Sequence, residues 1–224
     1  MTNFFNVLEV DFSRYPPLHV LLLGFGFIFW VMAYKEVITG VIKNKMVEIP
    51  IIVCAMDISW EFLWAFFLEN DFGILFTIGC TVWFFMDVGI NYSVLRYGKK
   101  LVTNPWIKKN YYFIYVFILI GSGSITYFLK TSGIDNGLGL LSAYLINLVI
   151  SATYIYQLLS FPQFINHGFQ YRVAWTKFLG TGSISIFCFL HYPNYYLLYT
   201  MCIMVFAMDI LYIYLFKNYK AELS

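Results

Sequence analysis

The stretch that decides the fold is AMDISWEFLW, residues 55–64, in which Asp57 and Glu61 interrupt an otherwise apolar run. Residues four apart lie on the same face of a helix, so the two carboxyl groups point the same way. Flanking apolar residues extend the segment to roughly the 20 residues that cross a bilayer. A carboxyl group in such a span costs about 2.5–3.5 kcal/mol on insertion scales, so both should face the interior of a helical bundle.

The composition of the whole chain indicates a membrane protein. Of the 224 residues, 61% are hydrophobic and only 12% are charged, which is too little charge to cover a soluble domain. We predict an all-α membrane protein, a seven-transmembrane-helix bundle forming one domain over residues 1–224, because the connections are too short to house a soluble domain. The predicted helices are approximately 18–34, 49–68, 73–92, 111–129, 137–161, 175–192 and 195–216.

The basic residues lie mainly on one side of this predicted bundle. Twelve of the fourteen Lys and Arg residues share that side, in the connections 35–48, 93–110 and 162–174, at Lys177 and after Phe216. Because basic residues stay on the cytoplasmic side, we expect the N-terminus outside and the C-terminus inside. The net charge of +2 is therefore explained by the orientation of the chain in the membrane and does not indicate that the protein binds nucleic acid. The basic connections can also contact anionic membrane lipids.

Other sequence features indicate neither a signal peptide nor a metal centre. The N-terminal segment 1–17 lacks the basic start and the cleavage site of a signal peptide. The cysteines lie in apolar runs without close pairing and are interpreted as small apolar residues; they are Cys54, Cys80, Cys188 and Cys202. No metal-ligand spacing joins His19, His167 and His191. We therefore expect no disulfide, no metal and no cofactor.

Four carboxylic residues fall inside predicted spans, namely Asp57, Glu61, Asp87 and Asp209. They come from three helices at similar depth, which predicts one polar chamber within the bundle. We expect no Lys or Arg in the spans to pair with them, and a buried carboxyl group without a cation is expected to carry its proton. The competing interpretation is that each acid only hydrogen-bonds a neighbouring helix, for which the sequence offers Asn91, Asn147, Gln157 and many tyrosines.

Two acidic segments resemble each other. FFMDVGINY (84–92) and FAMDILYIY (206–214) share Phe, Met, Asp and Tyr, and both predicted helices run in the same direction. An internal duplication would make Asp87 and Asp209 counterparts. Chance similarity in a chain this rich in Phe, Tyr and Met is the alternative.

Aromatic residues surround the acids in the sequence. Aromatic residues make up 22% of the chain, and most of them serve helix packing and the membrane interface. Aromatic faces also stabilise cations, so an acid with aromatic walls suits a reaction that protonates an apolar substrate and shelters a carbocation. The candidate pocket residues are Trp60, Trp64, Trp83, Asn91, Tyr92 and Tyr212.

At this point the chain resembles a known family. DISWEF in the second helix, WFFMD in the third and a lone Asp in the last helix are similar to the small seven-helix integral-membrane terpene cyclases of fungal and bacterial meroterpenoid and indole-diterpene pathways. The resemblance implies that Glu61 and Asp209 handle the initiating proton and that the partner is a lipophilic isoprenoid substrate. Fungal members commonly carry an amide before the Trp-Glu pair, whereas this chain has Asp57 there.

The expected reaction is general-acid initiation by Glu61 or Asp209 on a prenylated or linear isoprenoid, preferably at a terminal epoxide, followed by polyene cyclisation. Asp57 and Asp87 would be supporting acids. The sequence contains neither DDxxD nor DxDD, which favours a metal-free start. A small proton-coupled metabolite transporter is the main alternative, and a receptor or helix-packing protein is the other. The sequence does not indicate an oligomeric state.

Overall fold

The computed structural model describes residues 10–45, 48–161, 165 and 170–222, with side chains described as far as residue 220. Over these residues the backbone is helical and contains no strand. The N-terminal segment as far as residue 9, His167 and most of the connection 162–169 lie outside the described residues. The long helices are α1 (Pro17–Asn44), α2 (Ile51–Phe66), α3 (Ile74–Ser93), α4 (Tyr111–Thr131), α5 (Leu140–Ser160), α6 (Tyr171–His191) and α7 (Tyr196–Glu222).

Six of these helices, all except α2, are long and apolar enough to cross a membrane. The all-helical membrane fold is therefore confirmed. Helix α2 has 16 residues, about 24 Å at 1.5 Å per residue, which is short of the roughly 30 Å hydrocarbon core. The predicted turn between the last two helices contains Asn194 in the left-handed region, with φ 67°.

Two predicted connections are partly helical. Helix α1 continues ten residues beyond Tyr34 and buries Val37, Gly40 and Val41, before Lys45 ends it in the left-handed conformation. Lys and Glu residues are good helix formers, so charge alone does not end a helix. Helix α3 likewise continues through a π-helical segment, Val94–Gly98, to residue 101. Helix α1 and the α3 segment therefore extend well beyond their predicted ends at residues 34 and 92.

The helices form a ring with one helix outside it. Helix α1 packs against α3 and α6, α2 packs against α3 and α5, and α7 joins α5 to α6. Helix α4 packs mainly against α2, on the outer side of the ring. Its exposed face carries Phe113, Phe117 and Ile120, each more than 60% exposed, as expected for a surface covered by lipid. The ring encloses the space in which the candidate site lies.

Small residues bring α1 and α6 close together. A Cβ atom at Gly26 would lie 2.5 Å from the Ile184 side chain. A Cβ atom at Gly180 would lie 2.9 Å from the Trp30 ring and 3.3 Å from the Gly26 carbonyl oxygen. Such glycines permit close backbone contact between membrane helices. This contact closes the ring and positions Trp30 and Ile184.

Two polar side chains fix the turn that leads into α5. The Asp135 carboxylate accepts the main-chain N–H groups of Leu141 at 3.0 Å and Ser142 at 3.2 Å. The Asn136 side-chain oxygen accepts those of Leu138 and Leu140. These bonds satisfy N–H groups at the start of a helix that have no partner inside it. The first turn of α5 is therefore held in one orientation.

A buried carboxyl group also lies between α1 and α2. Glu48 is 2% exposed, and one of its oxygens accepts the main-chain N–H of Gln170 at 3.3 Å. The other oxygen has no hydrogen-bond partner among the described residues. Burial raises the pKa of Glu48 to about 8 from its ordinary value of 4.5.

Replacing Glu48 with Gln should flatten the dependence of stability on pH. The folded chain retains the Glu48 proton between about pH 4.5 and pH 8, whereas the unfolded chain releases it. Stability therefore falls as pH rises through that window and levels off above it. The melting temperature in detergent, measured from pH 5 to pH 9, should fall less for Glu48→Gln than for the parent protein. The exposed Glu69→Gln serves as the control; an unchanged slope in Glu48→Gln would contradict the assignment.

Candidate functional site

A cavity of about 400 Å³ lies within the ring. It extends from the connections before α3 and α5 to the middle of the bundle. Its walls come from α1, α2, α3, α5 and α6, and most of its lining is apolar. Large aromatic rings dominate the wall, contributed by Phe27, Trp30, Trp60, Phe76 and Trp83. The cavity is therefore suited to an apolar molecule.

Two of the four predicted acids line this cavity. The Tyr34 hydroxyl donates to one Glu61 oxygen at 2.6 Å, and the other Glu61 oxygen has no partner in the described part of the chain. Asp57 lies one turn earlier on the same helix and also lines the cavity. Among the described residues, no hydrogen bond or ion pair engages the Asp57 carboxyl group. The cavity thus presents two carboxyl groups without a paired cation.

Asp87 lies near the cavity but does not line it. It is 2% exposed, and one of its oxygens has no hydrogen-bond partner among the described residues. Asn91, one turn later, donates to the Asp87 main-chain carbonyl at 2.9 Å and accepts from the Tyr115 hydroxyl at 2.8 Å. Asn91 therefore ties α3 to α4 and is not a cavity residue.

Asp209 has a different environment from the other acids. Its two oxygens accept from the Lys177 ammonium at 2.6 and 2.8 Å, and the Ser151 hydroxyl donates to it at 2.7 Å. Asp209 does not line the cavity. The expectation that no Lys or Arg pairs with the acids is therefore wrong, because Lys177 lies six residues into α6 and reaches the interior. The single chamber of four acids is likewise not formed.

The Lys177–Asp209 pair lies close behind the cavity wall. The Lys177 ammonium is 6.0 Å from the centroid of the Trp30 ring, which lines the cavity. Its positive charge also acts on Asp57. The related segments 84–92 and 206–214 therefore place their Asp residues in unlike surroundings, since the ion pair is made only by Asp209 of the two.

The predicted aromatic residues divide between the cavity and other places. Trp60 and Trp83 line the cavity. Trp64 is fully buried behind Trp60, and the Lys130 ammonium lies 5.2 Å from the centroid of its ring. Tyr212 is buried against Tyr154, between α5 and α7. Neither Trp64 nor Tyr212 contacts the cavity.

Tyr92 faces outward from the bundle. It is 59% exposed, and its hydroxyl accepts from the Arg96 guanidinium at 2.6 Å. The prediction that Tyr92 forms part of the pocket wall is wrong. Tyr92 lies on the exposed side of α3, whereas its neighbour Asn91 is buried and bonds to Tyr115 of α4.

The cavity also uses residues that the sequence did not single out. Helix α1 lines it with a stripe at helical spacing, from Val20 through Gly24, Phe27 and Trp30 to Tyr34. This spacing was available in the sequence. In a helix that is apolar on nearly every face, however, the stripe does not stand out. No short-range sequence pattern links Tyr34 to Glu61, because the two residues lie 27 positions apart on different helices.

Histidines and cysteines are not gathered into a metal centre in the described residues. The rings of His19 and His191 meet, with 3.1 Å between their Nδ1 atoms. All four cysteines are buried and free.

Comparison with known proteins identifies the class. Residues 11–222 match the family of Pyr4-like transmembrane terpene cyclases. The chain belongs to this family and is accordingly a multi-pass membrane enzyme, a terpene cyclase. Membership favours the enzyme over the transporter and the helix-packing alternatives.

Individual relatives are similar at a lower level. The Pyr4-family terpene cyclase mfmH of Annulohypoxylon moriforme is 23% identical over 193 residues, 83% of this chain and 78% of the relative. Terpene cyclase spyD of Aspergillus fumigatus is 22% identical over 131 residues, 58% of this chain and 55% of the relative. Terpene cyclase ascF of Acremonium egyptiacum is 25% identical over 85 residues, 38% of this chain and 30% of the relative. No solved structure matches the chain.

Variants of the ion pair between Lys177 and Asp209 can distinguish a structural role of Asp209 from a chemical one. Asp209→Asn leaves a buried ammonium without its carboxylate and should cost about 3–5 kcal/mol of stability. The melting temperature in detergent should therefore fall. Adding Lys177→Met removes the second charge and should restore most of the loss.

Cyclising activity in the double variant then decides the role of Asp209. A stable and active double variant means that Asp209 supports the fold. A stable but inactive one would assign Asp209 the chemical role that the family resemblance implies. Recovery of neither stability nor activity would contradict the assignment of a simple ion pair.

Proposed function

We propose that the cavity is the active site for metal-free, acid-initiated cyclisation of a prenylated or linear isoprenoid. The observation that carries this proposal is the carboxyl pair Glu61 and Asp57 at an aromatic-walled cavity, where neither group is paired with a cation among the described residues. The cavity volume of about 400 Å³ falls within the roughly 300–1,000 Å³ of small-molecule sites.

Glu61 is the proposed general acid. The Tyr34 hydroxyl occupies one of its oxygens, which leaves the second oxygen to carry the proton to the substrate. Protonation of a terminal epoxide opens its C–O bond while the neighbouring double bond supplies electrons to the carbon. Once the proton has gone, the hydrogen bond from Tyr34 stabilises the new Glu61 carboxylate. The final carbocation is quenched when an adjacent C–H bond breaks: its electron pair forms a new double bond, and its proton passes to a cavity carboxylate, Glu61 itself or Asp57 after it has reprotonated Glu61, so that no net proton is consumed.

A terminal epoxide suits this acid better than an isolated alkene. A neutral carboxylic acid is weak, and an epoxide oxygen is more basic than a carbon–carbon double bond. Opening the three-membered ring also releases strain. No metal is required for this start, because the substrate needs no diphosphate to leave.

Asp57 and Asp87 are proposed to support Glu61. Asp57 shares its helix face one turn away, so it is placed to return a proton to Glu61 between turnovers. Asp87 is buried on the neighbouring helix α3 and does not line the cavity, so its proposed support is indirect. Asp209, held by Lys177 outside the cavity, fits a supporting role better than contact with the substrate.

The cavity aromatics are proposed to shelter the carbocation. The rings of Trp30, Trp60 and Trp83 line the cavity together with the acids. An aromatic face attracts a cation within about 6 Å of its centroid, and Trp does so best. The aromatic wall would therefore stabilise successive cations as rings form.

For the membrane arrangement we propose seven spans, with the N-terminus outside and the C-terminus in the cytoplasm. Helix α2 is the short seventh span, and α3, α4 and α5 surround it. With seven alternating spans, the C-terminal ends of α1, α3 and α7, which carry most of the Lys and Arg residues, would lie on the cytoplasmic side that the positive-inside rule favours.

Glu61→Gln should lower cyclisation by at least about 100-fold, because an amide cannot deliver the proton. Tyr34→Phe should lower it roughly tenfold through loss of one hydrogen bond to the developing charge. Membranes containing each variant would receive prenylated aromatic and linear isoprenoid substrates, each with and without a terminal epoxide. Mass spectrometry would then search for an isobaric product of shifted retention.

The exposed Glu69→Gln provides the matched control for loss of a carboxyl group. It should retain the parent activity at equal protein level. Full activity in Glu61→Gln would refute the assignment of the acid. Turnover of alkenes but not of epoxides would refute the proposed start.

A further inference from the structure

A chain of hydrogen bonds runs from one cavity tryptophan to a buried carboxylate. The Trp60 indole N–H donates to the Ser142 hydroxyl oxygen at 2.8 Å. The Ser142 hydroxyl in turn lies 2.5 Å from Asp135 Oδ2. The Gly139 carbonyl is the other acceptor within its reach, at 3.0 Å. The carboxylate is the stronger and nearer acceptor, so the hydroxyl hydrogen points to Asp135.

Four hydrogen-bond donors stabilise the ionised form of the Asp135 carboxyl group, although burial raises its pKa above the ordinary value. Its oxygens face the main-chain N–H groups of Asn136, Leu141 and Ser142, in addition to the Ser142 hydroxyl. All of these groups except the hydroxyl can only donate. The N-terminus of α5 adds a favourable positive end of the helix dipole. Negative charge is therefore fixed two hydrogen bonds away from the Trp60 ring.

A negative charge on Asp135, at the end of this hydrogen-bond chain, increases the electron density on the Trp60 indole ring. Linked hydrogen bonds polarise one another, so a hydroxyl bound to a carboxylate is a stronger acceptor for the indole N–H. A more strongly held N–H leaves more electron density on the ring, and the ring face then attracts a cation more strongly. Trp60 is thereby made a better partner for a carbocation than an indole without such a partner.

Trp83, another of the three tryptophans that line the cavity, offers that comparison. The Trp83 indole N–H is buried and has no hydrogen-bond partner among the described residues. Trp83 packs against Phe27, with 5.2 Å between ring centroids. Trp60 packs instead against Trp64 at 5.9 Å and Phe76 at 6.5 Å. The two indoles therefore face one cavity with unequal support.

We propose that Asp135 and Ser142 are positioning residues that orient and polarise the Trp60 indole, so that Trp60 is the preferred cation-binding face of the cavity. The inference rests on the proposed function, because it concerns the same cavity and a cationic intermediate. The carbocation would then spend more time next to the Trp60 ring than next to the other rings of the cavity. The position of proton loss, and with it the product, would depend on Ser142.

The test uses binding, which does not require turnover. The probe is a farnesyl-trimethylammonium ion, and its control is the neutral isostere in which carbon replaces nitrogen. Binding of both to the purified full chain in detergent would be measured for the parent protein, Ser142→Ala, Ser142→Thr, Trp60→Phe and the Ser142→Ala/Trp60→Phe double variant. Melting temperatures would verify that each variant is folded.

Ser142→Ala should weaken binding of the ammonium probe by roughly three- to tenfold and leave the neutral probe unchanged. Ser142→Thr, which keeps the hydroxyl, should restore the preference. In the Trp60→Phe background, Ser142→Ala should have no further effect, because the proposed path runs only through the indole. Trp83→Phe with and without Ser142→Ala is the matched control, and there the full Ser142 effect should persist.

Three results would overturn the inference. Equal weakening of both probes by Ser142→Ala would show a merely structural role, and an undiminished effect in Trp60→Phe would show that the indole is not the path. Absence of any cation preference in the parent protein would remove the premise. Failure of the proposed function is recognised separately, by full cyclisation in Glu61→Gln while the cation preference remains.

Discussion

The structure depends on how a carboxyl group is accommodated inside a membrane bundle. A lone carboxylate in hydrocarbon is costly, so it must be paired or must face a protected space. This chain does both. Asp209 is paired with Lys177 and Ser151 in the contact among α5, α6 and α7. Glu61 and Asp57 instead face a cavity, where Tyr34 provides one hydrogen bond. The paired acid is held within the bundle, whereas the two cavity acids face open space.

This division explains why the helices around the cavity are arranged as they are. The cavity needs an apolar wall that excludes water, and the aromatic residues of α1, α2 and α3 provide it. It also needs polar groups at defined points, and these come from buried side chains whose own partners lie outside the cavity. Ser142 is an example, because Asp135 fixes it at the start of α5 before it meets Trp60. The hydrogen bonds of the turn before α5 therefore also help to fix Trp60 in the cavity wall.

The sequence predicted the class of fold and the central acids, because Asp57 and Glu61 are conspicuous in an apolar run. It did not predict the partner of Asp209. Helix α6 begins at Tyr171 and not near residue 175, so Lys177 lies deeper than a basic residue at a predicted helix end. The α1 stripe was hidden because most of its neighbours are equally apolar. Tyr92 and Asn91 are adjacent in sequence yet face opposite ways, and only helix packing distinguishes them.

The glycine contact between α1 and α6 has a consequence for the shape of the product. At Gly26 and Gly180 there is no room for even one methyl group without displacing a neighbour, and those neighbours include cavity-lining Trp30 and Ile184. The close contact of α1 and α6 therefore helps to set the positions of Trp30 and Ile184 in the cavity wall. Because Gly26 and Gly180 have no side-chain carbon atoms, the two helices can approach closely, and this approach partly sets the dimensions of the cavity. Under the proposed function, this contact would help to shape the folded polyene through two residues, Gly26 and Gly180, that do not line the cavity.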